Sequence, residues 1–202
     1  GAITQKQLTI GGTFTANNKP YDGSTSASGS TGSLTLVTKV GSDDVSLAPV
    51  LTFADKNAGT AKTVSLTGSS LTGAKAANYS LSLSGAPTAS ADITKVTLSA
   101  SLISTVSKVY DGNNTVSNLT SSNYSLTGLV NGETSAISKT SGTYASTDVG
   151  SGLSVSATLA SGDFAEAGEF LRANYTLPTS ASGNIGAITQ KQLTIGGTFT
   201  AN

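Results

Sequence analysis

The residues with chemistry to offer come in small groups, and the groups recur. Lys19-Pro20-Tyr21-Asp22-Gly23 is echoed by Lys108-Val109-Tyr110-Asp111-Gly112, which sets Tyr21 and Tyr110 89 residues apart. A phenol beside a carboxylate could contact a ligand or a metal. The same residues are also turn chemistry, because Asp bonds its own backbone and Gly supplies positive φ. On that reading Tyr21-Asp22-Gly23 and Tyr110-Asp111-Gly112 are structural corners, each tyrosine anchored in a core. Calcium wants several oxygen ligands, and Asp22, Asp43, Asp44 and Asp55 are the carboxylates that could gather to supply them. No Asp-x-Asp-x-Asp loop supports such a site, and the second group has Gly132-Glu133 where the first has Asp43-Asp44. The expectation is therefore no metal and no cofactor, with these four as the calcium candidates.

Enzymatic chemistry fares worse. Histidine and cysteine are absent, which removes the usual zinc sites and the Ser-His and Cys-His nucleophiles. Glycosidase chemistry needs two facing carboxylates; Asp43 and Asp44, read as neighbours on a strand, point to opposite faces. The chain is expected not to be an enzyme. Two covalent options remain: an isopeptide link from Lys19, Lys108 or Lys56 to an Asn such as Asn57, and glycosylation at the Asn-x-Ser/Thr positions Asn78, Asn113, Asn118, Asn123 and Asn174.

The elements that must position these groups are strands. Tyr79, Leu81 and Leu83 alternate with serines, and Leu153, Val155, Ala157 and Leu159 alternate with Ser154, Ser156 and Thr158. Leu8-Ile10, Leu34-Leu36, Val45-Leu47 and Val64-Leu66 keep the same period of two, the mark of strands with one buried and one wet face. Turn signals separate them: Asp22-Gly23, Gly41-Ser42-Asp43, Ala58-Gly59, Asp111-Gly112 and Asn131-Gly132. Residues 164–174 have room for a helical turn before the last strand. The predicted class is all-β: two tandem immunoglobulin-like antiparallel β-sandwiches of about seven strands each. The stretch from Ala91 to Tyr110 contains neither Pro nor Gly. A stiff joint, and so a rod, is expected there in place of a flexible coil.

Repetition sets the organisation. Residues 1–17 and 186–202 are identical, so the sequence has a period of 185 residues. Inside it, Ala77-Asn78-Tyr79 returns as Ala173-Asn174-Tyr175, and Ile3-Thr4 returns as Ile93-Thr94 and Ile188-Thr189. Expected boundaries are 1–92 for the first copy, 93–187 for the second, and 188–202 for the start of the next unit, identical to 3–17. Lacking methionine and stopping in mid-period, the chain reads as an internal slice of a longer array.

Charge is balanced, with 11 basic and 11 acidic residues, which leaves no electrostatic basis for nucleic-acid binding. No apolar run is long enough for a helical membrane span, and membrane insertion is not expected. The absence of cysteine rules out disulfide staples; in an extracellular protein it points to export by bacterial machinery that favours cysteine-poor chains, and a cytosolic protein could lack cysteine as well.

Together the two Lys-x-Tyr-Asp-Gly motifs, Phe53-Ala54-Asp55-Lys56-Asn57-Ala58-Gly59, Ala77-Asn78-Tyr79 and Ala91-Asp92-Ile93-Thr94-Lys95 resemble YDG-type repeats. Such repeats occur in filamentous-haemagglutinin-like, two-partner-secreted exoproteins and other large bacterial adhesins. The resemblance runs through both copies; the second departs at Tyr144-Ala145-Ser146-Thr147 and near Phe164. It implies an extracellular, cell-surface location on a Gram-negative bacterium and a structural spacer or stalk that projects an adhesive region and supports adhesion or biofilm. The alternative is that the repeats themselves bind, by avidity, a host or matrix glycan or another fibre, or self-assemble into a filament. Expected partners in either case include the neighbouring repeats. Tyr21, Tyr79, Tyr110 and Tyr175 are expected to be buried, each with its hydroxyl bonded to backbone.

Overall fold

The computed structural model describes residues 1–197. Among them there is no α-helix, only short strands and four single 3₁₀ turns, at Ala76–Asn78, Ser121–Asn123, Ser161–Asp163 and Arg172–Asn174. The chain is all-β and divides into two units, Gly1–Val96 with Ala173–Tyr175, and Thr97–Arg172 with the residues from Thr176 onward.

In the first unit, strand Lys6–Gly12 lies between Tyr79–Ser82 and Leu34–Val37. Its inward residues Leu8 and Ile10 are buried while Thr9 and Gly11 are less so, as a period of two requires. A second sheet runs in the order Lys19–Pro20, Ala89–Thr94, Gly59–Ser65, Thr52–Phe53. It buries Phe53, Val64 and Ile93. A register shift between Ala91 and Ile93 re-aims the end of that central strand toward the Lys19 turn.

In the second unit the corresponding sheet has five strands, in the order Val106–Val109, Ser180–Thr189, Gly150–Thr158, Gly142–Tyr144, Thr115–Val116. Val155 and Ala157 alternate inward from its longest-paired strand, and Tyr144 and Ile188 close the core. The extra residues of this unit are not loose loop. Phe164 and Phe170 are both fully buried, and each such ring stabilises by about 1.5–3 kcal/mol over an exposed one. The helical turn expected between 164 and 174 is the 3₁₀ turn Arg172–Asn174, directly before the strand Tyr175–Thr176, and a further one, Ser161–Asp163, precedes Phe164.

The expected purely antiparallel pairing needs correction. Lys6–Gly12 with Tyr79–Ser82, Lys19–Pro20 with Ala89–Thr94, and Val106–Val109 with Ser180–Thr189 are all parallel. Local alternation cannot distinguish the two, because the period is the same. A parallel neighbour demands a long return path, and each of these pairs joins an early strand of a copy to a late one.

Candidate functional site: the Lys-x-Tyr-Asp-Gly turn

Each motif begins at a sheet edge. Lys19 is registered against Ile93, and the Tyr21 N–H donates to the Thr94 carbonyl at 2.8 Å. In the second copy Lys108 is registered against Ile188, and the Tyr110 N–H donates to Thr189 O at 2.9 Å. The parallel pairing thus places the lysine, two residues earlier, over the sheet interior while the chain turns away after the tyrosine.

The turn then closes on the lysine. Lys19 Nζ donates to Asp22 Oδ1 at 2.7 Å, to Ser24 O at 2.9 Å and to Ser24 Oγ at 3.1 Å. Lys108 Nζ donates to Asp111 Oδ1 at 2.6 Å, to Asn113 O at 2.6 Å and to Asn113 Oδ1 at 2.8 Å. Both ammonium groups also sit over an aromatic ring, 5.6 Å from the Phe53 centroid and 5.7 Å from that of Tyr144. An ammonium has three N–H donors, and here each has an oxygen. The acceptors in turn are fixed by the backbone: Ser24 N–H donates to Asp22 Oδ1 at 2.9 Å and Asn113 N–H to Asp111 Oδ1 at 3.1 Å. Gly23 and Gly112 take φ of 74° and 79°, the left-handed region where a side chain is strained.

Electrostatics follow the geometry. Burial is the largest influence on Asp22 and pushes its carboxyl up, but the bonds from Lys19 and Ser24 together outweigh it and leave the group below its ordinary range. Asp111 is lowered first by the hydrogen bond from Lys108 and then by the Asn113 N–H. Each lysine is engaged within its own turn, and the carboxylate it pairs with is three residues away. Lys108 does meet an asparagine side chain, Asn113 at 2.8 Å, but not the Asn57 expected for an isopeptide link. Asn57 instead accepts at Oδ1 from Asn174 Nδ2 at 3.2 Å.

The four calcium candidates are not brought together. Asp55 Oδ1 accepts from Lys62 Nζ at 2.6 Å and from Asn57 N–H at 2.9 Å. Asp43 Oδ2 accepts from the Tyr79 hydroxyl at 2.6 Å. Asp44 Oδ2 accepts from the Ala74 N–H at 2.9 Å. Asp43 and Asp44 precede the strand Ser46–Ala48 and do not lie on it. Among the described residues no three acidic side chains cluster as metal ligands would.

The tyrosines split. Tyr21, Tyr79 and Tyr175 are buried, but Tyr110 is 41% exposed against 1% for Tyr21. The expectation for Tyr110 is overturned, and the reason is a neighbour: Tyr175 meets Tyr21 edge-on, centroids 5.6 Å apart and planes at 80°. The Tyr79 hydroxyl is bonded to backbone as expected, accepting from the Val40 N–H at 3.2 Å, and it also donates to the Asp43 carboxylate. Two of the glycosylation candidates, Asn123 and Asn174, are buried and so closed to a glycan. The inward role of Asn174, bonded to Ala58 and Asn57, is one that the Asn-x-Thr match does not signal and the repeated Ala-Asn-Tyr does.

The family model described as YDG domain matches this chain twice, at residues 4–90 and 94–183. No curated protein and no solved structure matches it.

Proposed function

The chain belongs to the YDG domain family in two consecutive copies, and from that premise we propose that it is a spacer segment of a long extracellular fibre or adhesin of a Gram-negative bacterium. In this reading each copy is an immunoglobulin-like sandwich, the array is a stiff rod, and repeat number sets how far an adhesive region stands from the envelope in adhesion or biofilm. The chain performs no catalysis, binds no nucleic acid and inserts in no membrane. One observation carries the reading: the charged groups of the most distinctive motif in both copies are spent on each other. Its lysine, aspartate and glycine close a turn on themselves and present no reactive group.

The test is to display the parent fibre on cells with periods removed or added. Adhesion should change with length while purified repeats compete for nothing. Competition by the purified repeats would transfer the binding role to them, whether for a glycan, a matrix polymer or another fibre. The exposed Tyr110 is the one observation that favours that second reading.

A further inference from the structure

Tyr110 has a counterpart whose cover is visible. Tyr21 belongs to a small socket with Asn57 and Ala58, filled by Asn174 and Tyr175, which group with the first unit. The Ala58 N–H donates to Asn174 Oδ1 at 2.9 Å, Asn174 Nδ2 donates to Asn57 Oδ1, and Tyr175 lies edge-on against Tyr21. Asn174 is left with no exposed surface at all.

The second copy builds the same socket from Tyr110, Asp148 and Val149. Its correspondence to the first is atomic as well as sequential. Asn57 N–H donates to Asp55 Oδ1 at 2.9 Å, and Asp148 N–H donates to Ser146 Oγ at 3.0 Å, so both loops make the same turn. Here the socket is open: Tyr110 is 41% and Val149 48% exposed, and the two line a cavity with Asp148, Lys191 and Leu193. The chain also carries one uninserted plug. Asn78 ends the 3₁₀ turn Ala76–Asn78 as Asn174 ends Arg172–Asn174, yet Asn78 is exposed where Asn174 is buried.

We propose that the Tyr110–Asp148–Val149 socket receives the Ala77-Asn78-Tyr79 turn of a second copy of this 185-residue unit following in the same chain. The chemistry matches better than in the filled socket. A carboxamide offers both a donor and an acceptor. Asn78 Nδ2 donates to the Asp148 carboxylate, a charge-assisted bond in place of the neutral Asn174–Asn57 one, and Asn78 Oδ1 accepts from the Val149 N–H. Tyr79 itself stays in its own copy's core beside Leu8 and Val45, 5% exposed, so the exposed Asn78 makes the joint. This inference is independent of whether the array is a stalk or a ligand, since either requires successive units to be joined.

The absence of cysteine makes the test direct. In a chain of two full periods, Val149→Cys is introduced into either the first or the last period, and the reaction of the thiol with an aromatic disulfide reagent is timed. The first-period thiol, covered by the following unit, is expected to react at least about tenfold more slowly than the last-period one, as a tethered plug at high effective concentration should impose. Equal rates overturn the proposal. Asn78→Glu in the second period sets a like charge against Asp148 and is expected to abolish the protection without changing that unit's own melt, since Asn78 is exposed. Protection that survives Asn78→Glu assigns the cover to some other segment and overturns the occupant named here. Loss of cell adhesion with intact protection, or the reverse, separates this inference from the spacer reading.

Discussion

Lys19 and Asp22, three residues apart, hold each other at 2.7 Å across a turn whose glycine stands at φ 74°. The lysine side chain is 16% exposed and the aspartate 50%, so water screens one end of the pair and not the other. Lys19→Met keeps the aliphatic stem over Phe53 and removes the charge. It should lower the stability of the first unit by about 1 kcal/mol, an exposed carboxylate limiting the loss. Lys19→Met with Asp22→Asn should cost little more than either change alone, as expected of one coupled pair. Additive losses in urea titrations of the four proteins would show that the two side chains act separately.

Acid should expose the same bonds from the other side. Asp55, Asp111 and Glu166 are held low first by hydrogen bonds from Lys62, Lys108 and Arg172 respectively. A carboxyl lowered by folding contributes stability that is full above its unfolded pKa and is lost as pH falls through its folded one. The melting temperature should stay level from neutrality to about pH 5 and fall below about pH 4. Lys108→Met should flatten the acid limb of the second unit. An unchanged limb in that variant would remove Lys108 from the account.

One glycine is fixed by closeness. A Cβ at Gly186 would stand 2.6 Å from Cε1 of the buried Tyr144 ring and 3.0 Å from Leu153 O. Gly186→Ala should destabilise the second unit by about 1–3 kcal/mol, the usual range for overpacking a filled core. Gly162→Ala, where nothing lies within 4 Å, is the control and should be nearly silent. Equal melting temperatures for the two variants would refute the packing argument.

Chelation should do nothing. The carboxylates of Asp22, Asp43, Asp44 and Asp55 each accept hydrogen bonds from their own chain, and the cores beneath them are apolar. A calorimetric scan with and without excess chelator should superimpose. A melting temperature that drops on chelation would mean that a metal holds some part of the fold together.

Much of this architecture is legible in local pattern. Leu8, Ile10, Val64, Val155 and Ala157 sit inside as their alternation requires, and Asn131-Gly132 makes its turn with φ of 51° and 70°. What alternation could not give is which strands pair across long separations, hence the three parallel registers. Nor could it separate Tyr21 from Tyr110. Their local sequences are nearly the same, and Tyr21 alone meets the ring of Tyr175, which arrives from a distance. The lysine clasp was half visible: the spacing to Asp22 and Asp111 was plain, but the third acceptor, Ser24 in one copy and Asn113 in the other, shares a role without sharing a residue type.

The unequal central strands have a consequence for how such a chain avoids tangling. Gly59–Ser65 has seven residues and pairs with Ala89–Thr94 through one register shift; Gly150–Thr158 has nine and pairs with Ser180–Thr189 through two. A strand that strayed into the adjoining copy while the chain was still folding would be too short or too long for the place it took. Strand exchange between neighbours is a common failure of repeat proteins. Two dissimilar copies side by side thus offer each other no central strand of matching length and register.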